Sequence, residues 1–318
     1  MNALREDISV YLKIPPSYAP PPVQQLERAE EDGFTRSLIR YLVADGEYVE
    51  AFVFQPSSEG SRGAVLALHQ HNSQWAIGKS EIAGLIGDPM QAFGPALARR
   101  GLTVLAPDAI GFESRRRKAG WGADLAPSLD RPHSTAQDWL QYYNEMAHRL
   151  VRGDLLMTKI LTDCMSGLEV LRHLTEEDRL GVVGHSFGGI ATLFLAALDT
   201  RVVYACCSGA LCSYRHKVAN GIALEISLII PGFAARFDFD DLLRCVAPRK
   251  ILIVSATNDP QSADAEDVVL RARPAFADCP YELQHARVPG PHALDQYRFD
   301  FITNWAAIQA GNSQSLET

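Results

Sequence analysis

The chain has 318 residues, 47% of them hydrophobic and 21% charged, with a formal net charge of −8. These values fit a soluble globular protein with a sizeable core, and the acidic balance argues against a nucleic-acid binder, which would carry a basic face. The first ten residues carry acids where an export signal would have its apolar core. No segment approaches the roughly 18 uninterrupted apolar residues of a membrane span; residues 222–235 come nearest but hold Glu225 and Pro231. A cytoplasmic protein with no membrane or nucleic-acid partner is expected. Six cysteines (Cys164, Cys206, Cys207, Cys212, Cys245, Cys279) have no C-x-x-C spacing, so they read as free thiols.

Residues 1–33 read as an N-terminal arm. P-P-S-Y-A-P-P-P breaks any regular element, and the polar run Q-Q-L-E-R-A-E-E-D reads as a short helix. Residues 34–43 and 47–54 flank Asp45-Gly46, a hairpin signal. Short apolar runs at 64–69, 103–106, 181–184, 202–207 and 251–256 then read as buried strands. Helical patterns at 91–100, 155–174, 190–198, 264–277 and 294–308 separate or follow them. This alternation predicts an α/β domain over residues 34–310, with a mainly parallel sheet covered on both faces. Two stretches interrupt it, at about 112–152 and 208–247. Loops of that length in a compact domain are usually lids or additions with helices of their own. Residues 311–318 are left as a tail.

At 182–190 the chain reads V-V-G-H-S-F-G-G-I. This is G-x-S-x-G after a strand and before a helix, the context in which a serine sits on a sharp turn with its hydroxyl clear of its neighbours. Small residues two positions before and after let the strand and helix approach. The helix N-terminus turns its free N–H groups toward the reacting oxygen. No Gly-Lys-[Ser/Thr] follows and G-x-G-x-x-G is absent, so a phosphate loop is the weaker reading. Ser186 is the candidate nucleophile.

A serine nucleophile needs a base, and the base needs an acid to orient it, in the chain order Ser, acid, His. T-N-D-P after the strand at 251–256 supplies Asp259, with Asp264, Glu266 and Asp267 as nearby rivals. P-G-P-H-A-L after the apolar stretch 281–288 supplies His292, whereas His285 falls inside the strand pattern. Two N–H donors should hold the oxyanion. One is Phe187, after the nucleophile. The other comes from L-H-Q-H-N-S-Q, where His71 is favoured by position and Gln70 is the alternative. His69-x-His71 could be a metal pair, but no third ligand has suitable spacing, so no metal is expected.

Asp108, at a strand end, reads as a loop-organising acceptor. Arg115 heads a basic run that is either a solvated face or a means of steering an anionic substrate. Trp121, Trp139 and Tyr142 are candidate substrate contacts or packing residues of the insertion.

The chain resembles the α/β-hydrolases of the dienelactone hydrolase superfamily, and within it is similar to the acetyl xylan esterase-like bacterial esterases. The resemblance rests on H-Q-H-N-S with G-K-S-E-I-A-G, P-D-A-I-G-F-E-S, G-H-S-F-G-G, I-P-G-F and A-P-R-K-I-L-I-V. The chain departs from the common pattern in having His69-Gln70 where His-Gly is usual. The resemblance implies an eight-stranded, mostly parallel sheet, Ser-His-Asp catalysis, no cofactor and a small-molecule acyl substrate. The expected activity is a serine hydrolase cleaving a carboxylic ester or lactone through an acyl-enzyme. The same residues would serve acyl transfer, cyclisation, or thioester or C–C cleavage. A binding protein on this scaffold is a third reading, against which the complete Ser, Asp and His set argues. A homo-oligomer is left open, since the arm could cross to a partner or wrap its own domain.

Overall fold

The computed structural model describes residues 3–15, 20–57, 61–117 and 135–311. In chain order its elements are α1 (Ala3–Tyr11), β1 (Val23–Glu31), β2 (Phe34–Leu42), β3 (Tyr48–Pro56), β4 (Ala64–Leu68), α2 (Lys79–Ile82), α3 (Phe93–Ala98) and β5 (Thr103–Pro107). There follow α4 (Thr135–Val151), α5 (Leu156–Thr175), β6 (Leu180–His185), α6 (Phe187–Leu198), β7 (Val202–Ser208), α7 (Tyr214–Asn220), α8 (Phe239–Val246), β8 (Lys250–Asn258), α9 (Ala265–Ala272), β9 (Leu283–Pro291) and α10 (Gln296–Gly311).

The strands form one sheet in the order β1-β2-β3-β5-β4-β6-β7-β8-β9. The β1–β2, β2–β3 and β3–β5 pairs are antiparallel and the other five parallel. Side chains alternate across it, as the strand period requires. Ala64, Leu66 and Leu68 of β4 join the core under α5, α6 and α8. Val65 and Ala67 join the opposite core under α3 and α10. The vicinal Cys206 and Cys207 divide between the same two faces, and all six cysteines are free.

Among the described residues the sheet has nine strands where eight were expected, and the ninth is β1. Residues 24–32, read from sequence as a polar helix, instead run antiparallel to β2 from Val23↔Tyr41 to Glu31↔Phe34. Asp32-Gly33 makes the two-residue turn between them. Eight of the nine β1 residues are exposed, so no apolar periodicity marks the strand. What fixes it is the row of backbone groups along β2. A polar, charged strand suits a sheet edge, where an apolar one would invite further pairing.

Residues 3–15, another described part of the expected arm, pack on the same core. Ile8 and Leu12 are fully buried. Arg5 Nε donates to Ala197 O at 2.9 Å and its Nη2 to Cys245 O at 2.6 Å, near the C-terminal ends of α6 and α8, where free carbonyls need donors. Tyr11 donates to Pro231 O and packs edge-on against Phe233 and Phe237. Both long interruptions carry helices, α4 in the first and α7 with α8 in the second. No described helix is long and apolar enough to cross a membrane.

Candidate active site

β6 ends at His185, and Ser186 turns the chain into α6 with φ 57° and ψ −121°, a left-handed backbone that a side chain adopts only when its surroundings impose it. Here Ser186 N–H donates to Ser208 O at 2.8 Å and Ile190 N–H donates to Ser186 O at 3.0 Å, tying the turn to β7 and to its own helix. Two glycines allow the approach. A Cβ on Gly188 would lie 2.1 Å from Leu68 O, and one on Gly184 would lie 2.3 Å from Gly188 O.

The sheet brings the sequence-predicted residues to one end. Asp259 follows β8, His292 follows β9, and Ser186 follows β6. Ser186 Oγ donates to His292 Nε2 at 2.8 Å, and His292 Nδ1 donates to Asp259 Oδ1 at 2.9 Å. Asp259 also accepts from Gln261 N–H on Oδ1 (2.9 Å) and from Ser262 Oγ on Oδ2 (2.7 Å). Burial alone would raise its pKa. The hydrogen bond and charge of His292, then Ser262 and Gln261, outweigh burial and hold the carboxyl below the usual aspartate range. The rival acid is engaged elsewhere: Asp264 accepts both the N–H and the hydroxyl of Ser213. His285 pairs with Ser255 on the neighbouring strand.

On the other side of Ser186 lies the loop after β4. Among the described residues, no backbone acceptor takes the N–H of Phe187, Gln70 or His71. His69 orders this loop. Its Nε2 accepts from Ala109 N–H at 3.1 Å, so Nδ1 carries the proton and donates to Gln70 O at 2.8 Å. Gln70, the departure from the common pattern, spends its side chain on Glu81 at 3.0 Å. The His71 ring accepts from Ser73 N–H and packs against Trp75, Phe112, Tyr142 and Phe187. Burial, and next His69, push its pKa down to about 4. The two imidazoles of the His69-x-His71 pair are thus engaged within the loop, and among the described residues no group of three His, Cys, Asp or Glu is placed to hold a metal.

A serine hydroxyl, an imidazole and a carboxylate in line, beside free N–H groups at a helix N-terminus, can activate the oxygen and receive developing negative charge. The profile of the alpha/beta hydrolase family matches residues 70–311, which contain all these groups. The chain belongs to the alpha/beta hydrolase family. Among curated proteins it is similar to YtaP of Bacillus subtilis (strain 168), whose name calls it a hydrolase, with 27% identity over 77% of this chain and 76% of that protein. Among solved structures it is similar to a Bacteroides fragilis NCTC 9343 protein named as an acetyl xylan esterase, with TM-score 0.70 and 18% identity over 94% of this chain and 80% of the other. It is also similar to a glucuronoyl esterase from Solibacter usitatus, with TM-score 0.64 and 13% identity over 96% and 91% of the two chains.

The remaining expected site residues of this α/β-hydrolase fare differently. Arg115 does not face the site. It is 5% exposed, with Nη1 2.8 Å from Asp163 Oδ2 and Nη2 3.0 Å from Glu47 Oε2. A guanidinium buried and paired in this way is held within the fold rather than presented to a substrate. Tyr142 is fully buried; its ring lies against His71 and Phe112, and its hydroxyl donates to Glu225 Oε1, tying α4 to the second insertion. Trp139 stacks on Tyr143 with centroids 5.2 Å apart, both half-exposed on α4. Trp121 lies outside the described residues. Asp108 organises its loop as expected, accepting from Lys79 Nζ at 2.9 Å, Lys79 N–H at 2.7 Å and Ser114 Oγ at 2.6 Å.

Sequence reasoning missed three neighbours of the site. His185 is fully buried, with its ring centroid 4.9 Å from that of His292. Lys217 is 1% exposed and donates to Gln261 Oε1, linking a buried cation to the residue whose N–H reaches Asp259. Arg298, 2% exposed, bonds to the loop carrying His292. His185 was legible as part of G-H-S-F-G, but nothing in one sequence marks its burial. The other two are single charges, Arg298 in the last helical pattern and Lys217 in the second interruption, and single charges read as surface residues.

Proposed function

We propose that this α/β-hydrolase is a serine esterase that cleaves a carboxylic ester or lactone of a small-molecule substrate through an acyl-enzyme. The observation that carries the reading is the hydrogen-bonded line Ser186–His292–Asp259. His292 Nε2 takes the Ser186 proton as Oγ attacks the acyl carbon, then returns it to the departing alkoxide. A water enters and attacks the acyl carbon as His292 removes its proton, and His292 passes that proton to Ser186 Oγ as the acid is released. Asp259 holds the imidazole tautomer and balances the imidazolium charge.

The oxyanion is held by the backbone N–H groups of Phe187 and His71. His71 is favoured because His69 Nδ1 holds the carbonyl of Gln70. In a trans peptide the following N–H points to the opposite side, so His71 N–H is fixed away from His69 before substrate arrives. Gln70 N–H, one peptide earlier, is the alternative. Relatives named as acetyl xylan and glucuronoyl esterases support ester cleavage, and the motifs around residues 69–84 and 107–114 support the dienelactone hydrolase-like branch.

The test is turnover of p-nitrophenyl esters from acetate to octanoate by wild type and Ser186→Ala, with fluorophosphonate labelling of both. Wild type should cleave at least the short esters and take the label, and the variant should do neither. Substantial turnover by Ser186→Ala overturns the assignment. A transferred or cyclised product in place of acid plus alcohol would move the reading to acyl transfer.

A further inference from the structure

Between the end of β9 at Pro291 and the start of α10 at Gln296, the chain must hold His292 so that both ring nitrogens keep their partners at once. We propose that Arg298 is the residue that positions His292, by gripping the backbone on both sides of it. Arg298 Nη1 donates to Pro291 O at 3.0 Å and Nη2 donates to Ala293 O. The two carbonyls therefore flank His292 and are held by one planar fork. Asp295 braces the fork from the other side. Its Oδ1 accepts Arg298 N–H at 2.8 Å and its Oδ2 lies 3.4 Å from Nε.

Arg298 is 2% exposed and among the largest fully buried side chains. Volume alone does not call for arginine at such a place. An apolar residue of equal size would avoid burying a charge, but it would release both carbonyls from the one group that holds them together. A lysine would bring one compact point charge in place of two donors at fixed spacing. The guanidinium touches neither Ser186 nor the imidazole, so its action is on geometry. Since a displacement of about 1 Å in a reacting group can slow an enzyme about 100-fold, a loop that carries the base needs such a restraint.

The proposal rests on the esterase reading for its kinetic test and on the hydrogen-bond geometry alone for its spectroscopic one. Arg298→Met and Arg298→Lys are compared with wild type by fluorophosphonate end-point titration, by kcat per titrated site, by KM, and by the low-field proton resonance of His292 Nδ1–H. We expect Arg298→Met to titrate fully yet label slowly, with kcat per site down about 10- to 100-fold, KM within twofold, and a broadened or lost low-field resonance. Arg298→Lys should fall between, and guanidinium ion added to Arg298→Ala should restore part of the rate. A lower titre with wild-type kcat per site in either variant would mean that Arg298 only supports the fold. An unchanged low-field resonance in both variants would also overturn the proposal. Turnover retained by Ser186→Ala would overturn the esterase reading instead, and the resonance would still decide on Arg298.

Discussion

Lowering the pH from 7 to 5 should destabilise this protein through His185, by an amount the structure allows to be worked out. The ring is fully buried. Its Nδ1 lies 3.0 Å from Ser208 Oγ, its Nε2 has no partner among the described residues, and His292 stacks obliquely beside it. Burial, and next the neighbouring His292, push its pKa down to about 3. In the unfolded chain the same imidazole titrates near 6.5. Below that value the unfolded state binds the extra proton, so the contribution of His185 is intact above about pH 6.5 and is lost progressively as pH falls toward 3. Between pH 7 and 5 the loss is about 2 kcal/mol. Urea unfolding followed by tryptophan fluorescence at the two pH values, on wild type and His185→Asn, isolates it. His71, also held neutral by burial, contributes to both proteins and cancels. The variant should lose about 2 kcal/mol less than wild type on acidification. Equal losses in the two would refute the claim that His185 is buried in its neutral form.

Three further outcomes are expected. Asp259→Asn should lower kcat by about 10³- to 10⁴-fold, while Asp264→Asn should leave kcat within a few-fold and lower the unfolding midpoint, because its carboxylate anchors the chain at Ser213; the reverse pattern in p-nitrophenyl acetate assays would exchange their roles. Gly188→Ala drives a methyl into Leu68 O and should destabilise by about 3 kcal/mol or more, so a variant with wild-type melting and activity would contradict the packing of α6 against β4. Arg115→Met removes one of the two cations that Asp163 and Glu47 share, leaving them Lys159, and should destabilise by about 1 to 3 kcal/mol, with KM unchanged for neutral and anionic esters alike. A KM increase confined to the anionic ester would return Arg115 to substrate steering.

The strands from β2 to β8 were legible because each is either a run buried along most of its length or a hairpin partner with a turn signal, and β9, at the far edge, left only the apolar stretch before His292. The elbow was legible because the close approach of β6 and α6 demands small residues at fixed offsets, which leaves a mark in sequence. Asp259 and His292 were found by topology, each at the end of a later strand. β1 was not found, since a strand exposed on nearly all its length has no apolar rhythm, although Asp32-Gly33 carried the same turn signal as Asp45-Gly46. Arg115 was misread for a related reason. Four consecutive basic residues look like a solvated face, and only the fold brings Asp163 and Glu47 to the first of them. Lys217 escaped notice because its partner is a side-chain amide from a distant segment, and Arg298 because its partners are nearby backbone carbonyls, which no residue type reveals.

The order in which the three strand ends supply the site bears on how the protein is made. Ser186 and His292 are 106 residues apart, and both β8 with Asp259 and β9 lie between them in the chain. At about 5 to 20 residues per second, the elbow leaves the ribosome about 5 to 20 s before its base does. Throughout that interval β6 and α6 can dock on the strands already made, but the hydroxyl has no proton acceptor. On the proposed mechanism, a nascent or prematurely terminated chain that lacks β9 and the residues after it is inert toward esters.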